Sequence, residues 1–401
     1  MKIAVRRNPA TPAVTFMLAF DAGSVFDPPS RPGLAAFTAR MIDRGTPEHS
    51  ADALAEAIEG RGASVEAASN RQSLTFTATC LEDDFEPMLA LVARMAQAPT
   101  FPDDQIELRR QETLTRIAQD AENTGARATA AFFERLYGEG HPYAHAPRGT
   151  AASIEALTRA DLEAFHRARI GPERLTAAIV GDIDEARARD AVARTLASWA
   201  PAGRDEPGEL PAPAPPAVRD HSRIDVPGKS QADIAYGFLG PGRLDEGYYA
   251  FWVMNTVLGQ YGMGGRLGEN IREQQGMAYY AYSSYDAART PGPLLVRAGV
   301  DPANVDRAIA AIDHEIARIA SGGVTQEERD NAVRYLIGSI PRMLETNAGT
   351  AQFLVTVEQF GLGEGFERRL PGLLSAVTVE QASAAAAALD PDRAVVAVAG
   401  P

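Results

Sequence analysis

The sequence predicts an α+β fold (an α/β sandwich) built from two homologous domains that are joined by a proline-rich linker. The chain has 401 residues, which is more than one hydrophobic core usually serves. Residues 201–216 are dense in proline, a composition that keeps a chain extended and marks a domain boundary. We therefore expect an N-terminal domain at 1–200, a linker at 201–221 and a C-terminal domain at 222–401.

An internal repeat supports two related domains. The triplet Pro-Glu-Arg at 172–174 precedes an apolar stretch that ends at Gly181, and Pro-Asp-Arg at 391–393 precedes one that ends at Gly400. The two triplets and the two glycines share one offset along the chain. A further pair within one residue of that offset is Thr158 and Thr378. The order of predicted elements is also shared, so the sequence indicates a duplicated unit.

In the first half, the spacing of apolar residues separates strands from helices. Alternation predicts strands at residues 14–20, 64–68, 73–81 and 175–183. A spacing of three to four predicts helices at residues 33–44, 50–60, 85–96, 102–120, 126–137 and 157–168. Ser50 is the expected N-cap of its helix and Gly60 its end.

The second half repeats this order. Strands are predicted at residues 234–238, 277–285, 294–300 and 394–399. Helices are predicted at residues 248–258, 267–275, 305–319, 326–344 and 352–360. We expect Gly276 and Gly322 to end the helices before them. His314 and Glu315 fall on the polar face of their helix, and we expect both to be solvated.

Composition and charge exclude several classes of function. The net charge of −14 argues against a nucleic-acid partner. It fits a neutral or basic polypeptide partner, and equally a charge that only keeps the protein soluble. The single cysteine, Cys80, excludes an internal disulfide and a cysteine-based metal cluster, and its alternating neighbours place it in the core.

No apolar run is long enough to span a membrane, so we expect no membrane partner. The N-terminal residues lack the continuous apolar segment of a signal peptide. This predicts a cytoplasmic protein, or a periplasmic one if the N-terminus was trimmed, and leaves the compartment open.

Common catalytic motifs are missing. The sequence has no GxSxG elbow and no Walker A loop, and its glycine clusters lack the spacing of a dinucleotide fingerprint. His141 and His145 are four residues apart, but Pro142 and Pro147 prevent the helix that would place them on one face, so we expect a loop. His314 and Glu315 do not begin an HExxH motif.

The segment 33–46, GLAAFTARMIDRGT, resembles the zinc-site segment of the M16 metallopeptidases, the family of pitrilysin, insulinase and the mitochondrial processing peptidase. That family carries HxxEH in this segment. Here Ala36 stands in place of the first histidine, Ala39 in place of the general-base glutamate and Arg40 in place of the second histidine. The third ligand, a glutamate on a long helix, falls at Arg116. Methyl and guanidinium groups offer no lone pair, so we expect no metal at this site.

A second stretch, residues 262–285, resembles another motif of the same family. It reads GMGGRLGENIREQQGMAYYAYSSY and places Arg272 seven residues before Tyr279. The resemblance implies that this pair reaches a substrate bound at a partner's zinc. A tyrosine hydroxyl can donate to the oxyanion of peptide hydrolysis, and an arginine can hold neighbouring carbonyls. The alternative is that Tyr279 packs in a core with neighbouring tyrosines while Arg272 pairs with Glu269 or Glu273.

Taken with the lost zinc ligands, the resemblance implies a non-catalytic subunit of a heterodimeric M16 zinc peptidase. It implies a clam-shaped arrangement of two homologous domains, each a mostly antiparallel sheet with helices packed on it. Zinc is expected in an HxxEH partner, which is a separate chain or the second half of a longer one, and no cofactor is expected in this chain. The substrate is expected to be an unstructured peptide, added to a strand edge in the partner.

Two alternatives stay open. One is a purely structural subunit, like the core proteins of respiratory complexes, and the other is a peptide-binding protein without hydrolysis. A homodimer of the isolated chain, the peptide specificity and the nature of the partner are also open.

Overall fold

The structure is a computed structural model that describes residues 1–138, 140–202, 210–213 and 216–401. Residues 203–209 and 214–215 of the predicted linker lie outside the described residues, and the boundary at 201–221 stays a prediction. The chain forms two compact units, each assembled from three segments. The first unit comprises Met1–Ile117, Ala146–Glu209 and Pro341–Glu364, and the second Ala118–His145, Leu210–Ile340 and Gly365–Pro401.

Each half of the chain contains five strands and a run of five consecutive α-helices among the described residues. The strands are β1 Lys2–Arg7, β2 Ala13–Phe20, β3 Ser64–Ser69, β4 Leu74–Leu81, β5 Leu175–Gly181, β6 Asp220–Asp225, β7 Ala232–Gly240, β8 Ala278–Tyr285, β9 Gly292–Val300 and β10 Val395–Gly400. The α-helices are α1 Leu34–Met41, α2 Ala51–Glu59, α3 Phe85–Gln97, α4 Asp103–Ala121, α5 Thr124–Tyr137, α6 Ala151–Ala156, α7 Arg159–Arg169, α8 Glu185–Leu196, α9 Tyr248–Asn255, α10 Val305–Gly322, α11 Gln326–Met343, α12 Asn347–Phe360, α13 Phe366–Ser375 and α14 Val379–Ala386. No helix in these described residues is long and apolar enough to cross a membrane.

The two units contain sheets of the same topology. The first sheet has the order β1-β5-β2-β4-β3 and the second β6-β10-β7-β9-β8. In each, the first strand pairs in parallel with the last, and the other neighbours pair antiparallel. The predicted α+β fold of two homologous, mostly antiparallel sheets with helices is confirmed.

Matching residues start and end matching elements, as the internal repeat predicts. Thr158 and Thr378 cap α7 and α14, each with a reciprocal capping box. The triplets Pro172–Arg174 and Pro391–Arg393 form single 3-10 turns before β5 and β10. Ser50 caps α2 through the backbone N–H of Ala53, also as predicted.

Each sheet is covered by a helix from the opposite half of the sequence. Helix α5 packs on β7 and β10 in the second unit, and α12 packs on β2 and β5 in the first. Strand β2 is therefore buried on both faces: Phe16 and Leu18 face the main core, whereas Met17 and Ala19 contact Ala351 and its neighbours on α12. We call this the exchange of helices between the two halves of the sequence. Periodicity along the chain cannot reveal the exchange, because the packing depends on contacts between residues distant in sequence.

Several elements differ from the prediction. The edge strands β1 and β6 and the helices α6, α8, α13 and α14 were not predicted. Helix α10 ends at Gly322, as predicted, and the C-cap residue that follows is Gly323, whose positive φ of 70° suits glycine.

Candidate functional site

The glycine-rich stretch of the second unit adopts unusual helical geometry. Helix α9 passes into a π-helical segment, Thr256–Gln260, and a second π-helical segment, Gly268–Gln274, follows a short turn. Gly276, at φ 61°, then turns the chain into β8. The predicted order of helix, glycine and strand is confirmed, although the helix is π rather than α. Such π segments are rare and often accompany functional sites.

Tyr279 lies at a β-bulge on an edge strand. Ala278 pairs with Val300 and Tyr280 with Gly299, so Tyr279 is the extra residue. A bulge bends the strand locally and re-aims a side chain. The side chain of Tyr279 is accordingly 80% exposed. The alternative that Tyr279 packs in a core with its neighbouring tyrosines is wrong.

The neighbours of Tyr279 are anchored instead. The Tyr280 hydroxyl donates to Asp233, a carboxylate that is only 3% exposed. Asp233 also accepts hydrogen bonds from Thr124 and Gln231. Burial, and then the hydrogen bond to Asp233, raise the pKa of Tyr280 above its usual value. The hydrogen bond of Tyr280 thus anchors the strand directly after the bulge, while the side chain of Tyr279 faces solvent.

Arg272 lies near the end of the second π-helical segment, seven residues before Tyr279 and in the same unit. Its side chain is 44% exposed, and its Nε lies 3.8 Å from Oε1 of Glu273. That distance is too long for a hydrogen bond. The sequence left open a surface ion pair between Arg272 and Glu273. In the structure this pair is a loose, exposed contact, which contributes little to stability.

Arg266 fixes the start of this stretch. It is 7% exposed, and its Nε and Nη2 donate to the two carboxylate oxygens of Glu328 at 2.7 and 2.8 Å. Nη2 also donates to the carbonyl of Gly323. Burial would raise the pKa of Glu328, but the hydrogen bonds from Arg266 and Thr325 prevail and lower it to about 2.

Glu315 fixes the middle of the stretch and corrects a prediction. It was expected to be solvated beside His314, but it is 1% exposed while His314 is exposed. It accepts a hydrogen bond from Asn270 and pairs with Arg318 at 2.8 Å. A carboxylate on the flank of an amphipathic helix can be buried when a neighbouring segment supplies donors, and that segment is distant in sequence.

The positions that correspond to zinc ligands in the resembled motif lie in the first unit, and they contribute to a cluster of ion pairs. Ala36, Ala39 and Arg40 are on α1, and Ala39 is buried. Nη2 of Arg40 lies 2.6 Å from Oε2 of Glu112 on α4. Nη1 of Arg109 donates to both oxygens of the same carboxylate at 2.7 Å.

Sequence reasoning missed Glu112 and Arg109, although their i, i+3 spacing on a predicted helix was a signal. Arg116 is exposed on the same helix and close enough to Arg40 to affect its pKa.

These residues do not fit a zinc ion. Zinc needs several nitrogen, sulfur or carboxylate donors that converge on one point. No group of three or more His, Cys, Asp or Glu side chains that could hold a metal occurs in the described part of the chain. Glu112 forms an ion pair with Arg40, and two guanidinium groups already bind its carboxylate.

His141 has a structural role. It is buried, and its Nδ1 accepts a hydrogen bond from the backbone N–H of Tyr143 at 3.0 Å, within a loop and single 3-10 turn. His145 is exposed four residues later. The loop predicted for these two histidines is confirmed.

Comparisons with known proteins identify the family. Residues 2–141 match the family model described as insulinase (peptidase family M16), and residues 156–336 match the peptidase M16 inactive domain. The chain is 30% identical over 378 residues to an uncharacterized zinc protease of Mycobacterium leprae, covering 92% of this chain and 82% of that protein. This chain belongs to the M16 peptidase family. The resemblance inferred from the two motifs is confirmed.

Two further proteins are similar to this chain, one in structure and one in sequence. The crystal structure of a peptidase M16 inactive domain from Pseudomonas fluorescens matches with a TM-score of 0.92 at 30% identity, over 100% of this chain and 95% of that one. A Helicobacter pylori protein named as a non-peptidase homolog is 22% identical over 369 residues, covering 91% of this chain and 83% of that protein. Relatives of this M16 chain are thus named both as proteases and as a non-peptidase.

Proposed function

We propose that this chain is the non-catalytic subunit of a heterodimeric M16 zinc peptidase, and that Arg272 and Tyr279 complete the active site of a zinc-bearing HxxEH partner. The observation that carries the proposal is the bulged, 80% exposed Tyr279. Burying a tyrosine ring is favourable, so a strand that anchors Tyr280 while turning Tyr279 to solvent has given up that gain. A ligand or partner that meets the exposed ring accounts for the arrangement.

Tyr279 is suited to stabilise an oxyanion. When water attacks a peptide carbonyl, negative charge develops on the carbonyl oxygen, and a fixed hydroxyl donor stabilises it. Loss of one such donor typically slows a reaction about 10²–10³-fold. The role needs a hydroxyl with a fixed backbone behind it, and the bond from Tyr280 to buried Asp233 supplies that support.

Arg272 is suited to hold the peptide in register. Its guanidinium donates no hydrogen bond to any residue in the described part of the chain, and 44% of the side chain is exposed. A planar guanidinium can donate two parallel hydrogen bonds to neighbouring carbonyl or carboxylate oxygens. We infer that Arg272 binds the substrate main chain beside the bond to be cut.

The substrate would be an unstructured peptide, because only an extended main chain can be read by a strand edge in the partner and by a guanidinium at once. The partner would supply the zinc, either as a separate chain or as another part of a longer polypeptide. Support for a subunit that does not hold zinc comes from the Arg40–Glu112–Arg109 ion pairs at the former metal positions.

The test is peptide hydrolysis by this chain mixed with its HxxEH partner. We expect the chain alone to bind no stoichiometric zinc and to cleave nothing, and the mixture to be active. Tyr279→Phe should lower kcat about 10²-fold without changing assembly. Tyr282→Phe is the matched control, since Tyr282 is exposed on the same strand, and it should keep full activity.

Full activity of the Tyr279→Phe complex would contradict the proposed role of Tyr279 and would favour the alternative of a purely structural subunit. Equal peptide affinity with and without the partner, and no hydrolysis in either case, would instead indicate a peptide-binding protein. Assembly is checked by size-exclusion chromatography of each mixture.

A further inference from the structure

We propose that the former zinc position has become an anion site, in which Arg40, Arg109 and Arg116 bind a carboxylate of a peptide. These three residues with Glu112 are called the arginine cluster below. The proposal rests on the proposed function only in naming a peptide as the carrier of the carboxylate. The site itself lies in the first unit and does not involve Arg272 or Tyr279.

The cluster is assembled by two helices. Arg40 is in the last turn of α1, whereas Arg109, Glu112 and Arg116 lie on α4. Spacings of three and four residues place the α4 side chains on one face of the helix. Glu112 joins the helices, because its carboxylate lies 2.6 Å from Arg40 and 2.7 Å from Arg109.

Glu112 cannot satisfy the donors around it. Each guanidinium carries five N–H donors, whereas one carboxylate accepts about four hydrogen bonds. The Nε atoms of Arg40 and Arg109 are buried and have no hydrogen-bond partner among the described residues. The two guanidinium groups that share Glu112 therefore have donors in excess, which a second carboxylate could accept.

The charge at the cluster is also unbalanced. Arg44 pairs with Asp43 at 3.0 Å and adds no net charge. Asp43 also lies close enough to Arg40 and Arg109 for their charges to lower its pKa, but it is already paired with Arg44. Arg116 is exposed and forms no ion pair with a described residue, so Arg40, Arg109, Arg116 and Arg44 outnumber the carboxylates of Glu112 and Asp43. Burial, and next the positive charge of Arg116, lower the pKa of Arg40. In a chain of net charge −14, such a concentration of positive charge indicates an anionic ligand.

A carboxylate fits the cluster better than a spherical anion. Arginine binds carboxylates through two parallel hydrogen bonds in one plane, and Glu112 already binds Arg109 with both oxygens. A peptide offers this chemistry from two sources, the C-terminal carboxylate and an Asp or Glu side chain. Both sources would approach from the side of Arg116, which is the exposed member of the cluster.

The test measures peptide binding to the full chain without a partner, by isothermal titration calorimetry at low ionic strength. Three ten-residue Gly/Ser peptides are compared: one with a free C-terminus, one amidated with a central Asp, and one amidated with a central Asn. We expect at least one carboxylate peptide to bind about tenfold or more tightly than the Asn peptide, a difference of about 1.4 kcal/mol. The peptide that binds more tightly identifies the source of the carboxylate, either the C-terminus or an acidic side chain.

Arg116→Gln should abolish the preference, and its exposed position leaves the fold intact. Arg167→Gln is the matched control, because Arg167 is an exposed arginine of the same unit that pairs with Glu163 on its own helix. It should keep the preference. Equal affinity for all three peptides, or an undiminished preference in Arg116→Gln, would overturn the proposal. Sulfate binding that depends on Arg116, without peptide discrimination, would also overturn it and show an adventitious ion only.

The experiment separates this proposal from the proposed function. Tyr279→Phe should leave the carboxylate preference unchanged, since Tyr279 is in the other unit. A missing preference together with a slow Tyr279→Phe complex would reject the anion site alone. A retained preference together with a fully active Tyr279→Phe complex would reject only the role of Tyr279.

Discussion

At the scale of single residues, the exposed Tyr279 lies beside a half-buried and hydrogen-bonded neighbour, Tyr280. Tyr280 and Tyr279 are adjacent, yet one hydroxyl reaches a carboxylate in the interior and the other ring faces solvent. Alternation along a strand already places adjacent side chains on opposite faces, and the bulge in addition leaves Tyr279 without a partner residue on β9. The hydrogen bond to Asp233 anchors the strand at the residue directly after the bulge.

Replacement of Tyr280 by phenylalanine should show this anchoring. The change leaves Asp233 with two of its three donors, so we expect the free energy of unfolding to fall by about 1–3 kcal/mol. Urea unfolding followed by circular dichroism measures it. Tyr282→Phe, on the same strand, is the control and should change stability by less than about 0.5 kcal/mol. Equal losses in both variants would show that the hydroxyl bond is unimportant.

The Arg266–Glu328 pair predicts a pH dependence. The pKa of Glu328 is about 2 in the folded state and near its usual value when unfolded, so the unfolded chain binds the proton more tightly. The stabilisation is present above pH of about 4.5 and is lost as the pH falls toward 2. Glu328→Gln should cost roughly 3 kcal/mol at pH 7, because it leaves a buried guanidinium uncompensated.

Denaturant unfolding at pH 7, 5 and 3 tests the pair. The stability difference between wild type and Glu328→Gln should shrink at pH 3. Glu327→Gln is the control, since Glu327 is exposed and adjacent. A difference that stays constant with pH would contradict the lowered pKa.

At the scale of elements, the two capping boxes should be equivalent. Thr158 and Thr378 start corresponding helices in the two units and accept the same backbone hydrogen bond. We expect Thr158→Ala and Thr378→Ala each to cost about 1 kcal/mol. Because the sites are distant, the double variant should lose about the sum. Thr115→Ala, an exposed position inside α4, should cost little; a loss as large as that of the caps would refute the capping account.

Most elements were predictable where local pattern decides them. The alternation of β2 and β4, the caps of α2 and α7, and the helix, glycine and strand around Gly276 all follow from neighbours in sequence. The edge strands β1 and β6 were missed, because six residues with polar ends carry little periodicity. The π-helical geometry also escaped prediction, since it differs from an α-helix by one residue per hydrogen bond.

The candidate site was predictable only in part. The resemblance to a family motif singled out Arg272 and Tyr279, whose role as a pair stays a prediction, and Ala36, Ala39 and Arg40 were visible as departures from the zinc motif. Three features could not be predicted from the sequence: the bulge at Tyr279, the burial of Glu315 and the ion pair between Arg40 and Glu112. Each of these depends on a contact between segments far apart in the chain.

At the scale of the whole molecule, the exchanged helices make the halves of the sequence interdependent. A fragment of residues 1–200 lacks α12, so the Met17 and Ala19 face of its sheet would be exposed to water. A fragment of residues 201–401 lacks α5. We expect each fragment alone to bind 8-anilinonaphthalene-1-sulfonate and to aggregate, as exposed apolar surface does.

The two fragments should form a soluble complex when they are coexpressed, because each then supplies the helix that the other needs. Copurification and circular dichroism measure this. Two fragments that are separately soluble, monomeric and cooperatively folded would contradict the importance of the exchange.

The exchange also limits how the protein can form during its synthesis. Domains of most chains fold as they leave the ribosome, in order from the N-terminus. Here the first sheet receives α12 only after residue 360 has been made, so a nascent chain of 300 residues must keep one sheet face uncovered. The wait runs from the end of β5 at Gly181 to the end of α12 at Phe360, and at about 5–20 residues per second it lasts on the order of ten seconds or more. The nascent chain should therefore need chaperones until late in translation. Slow codons placed before residue 347 should increase misfolding more than slow codons placed after residue 360.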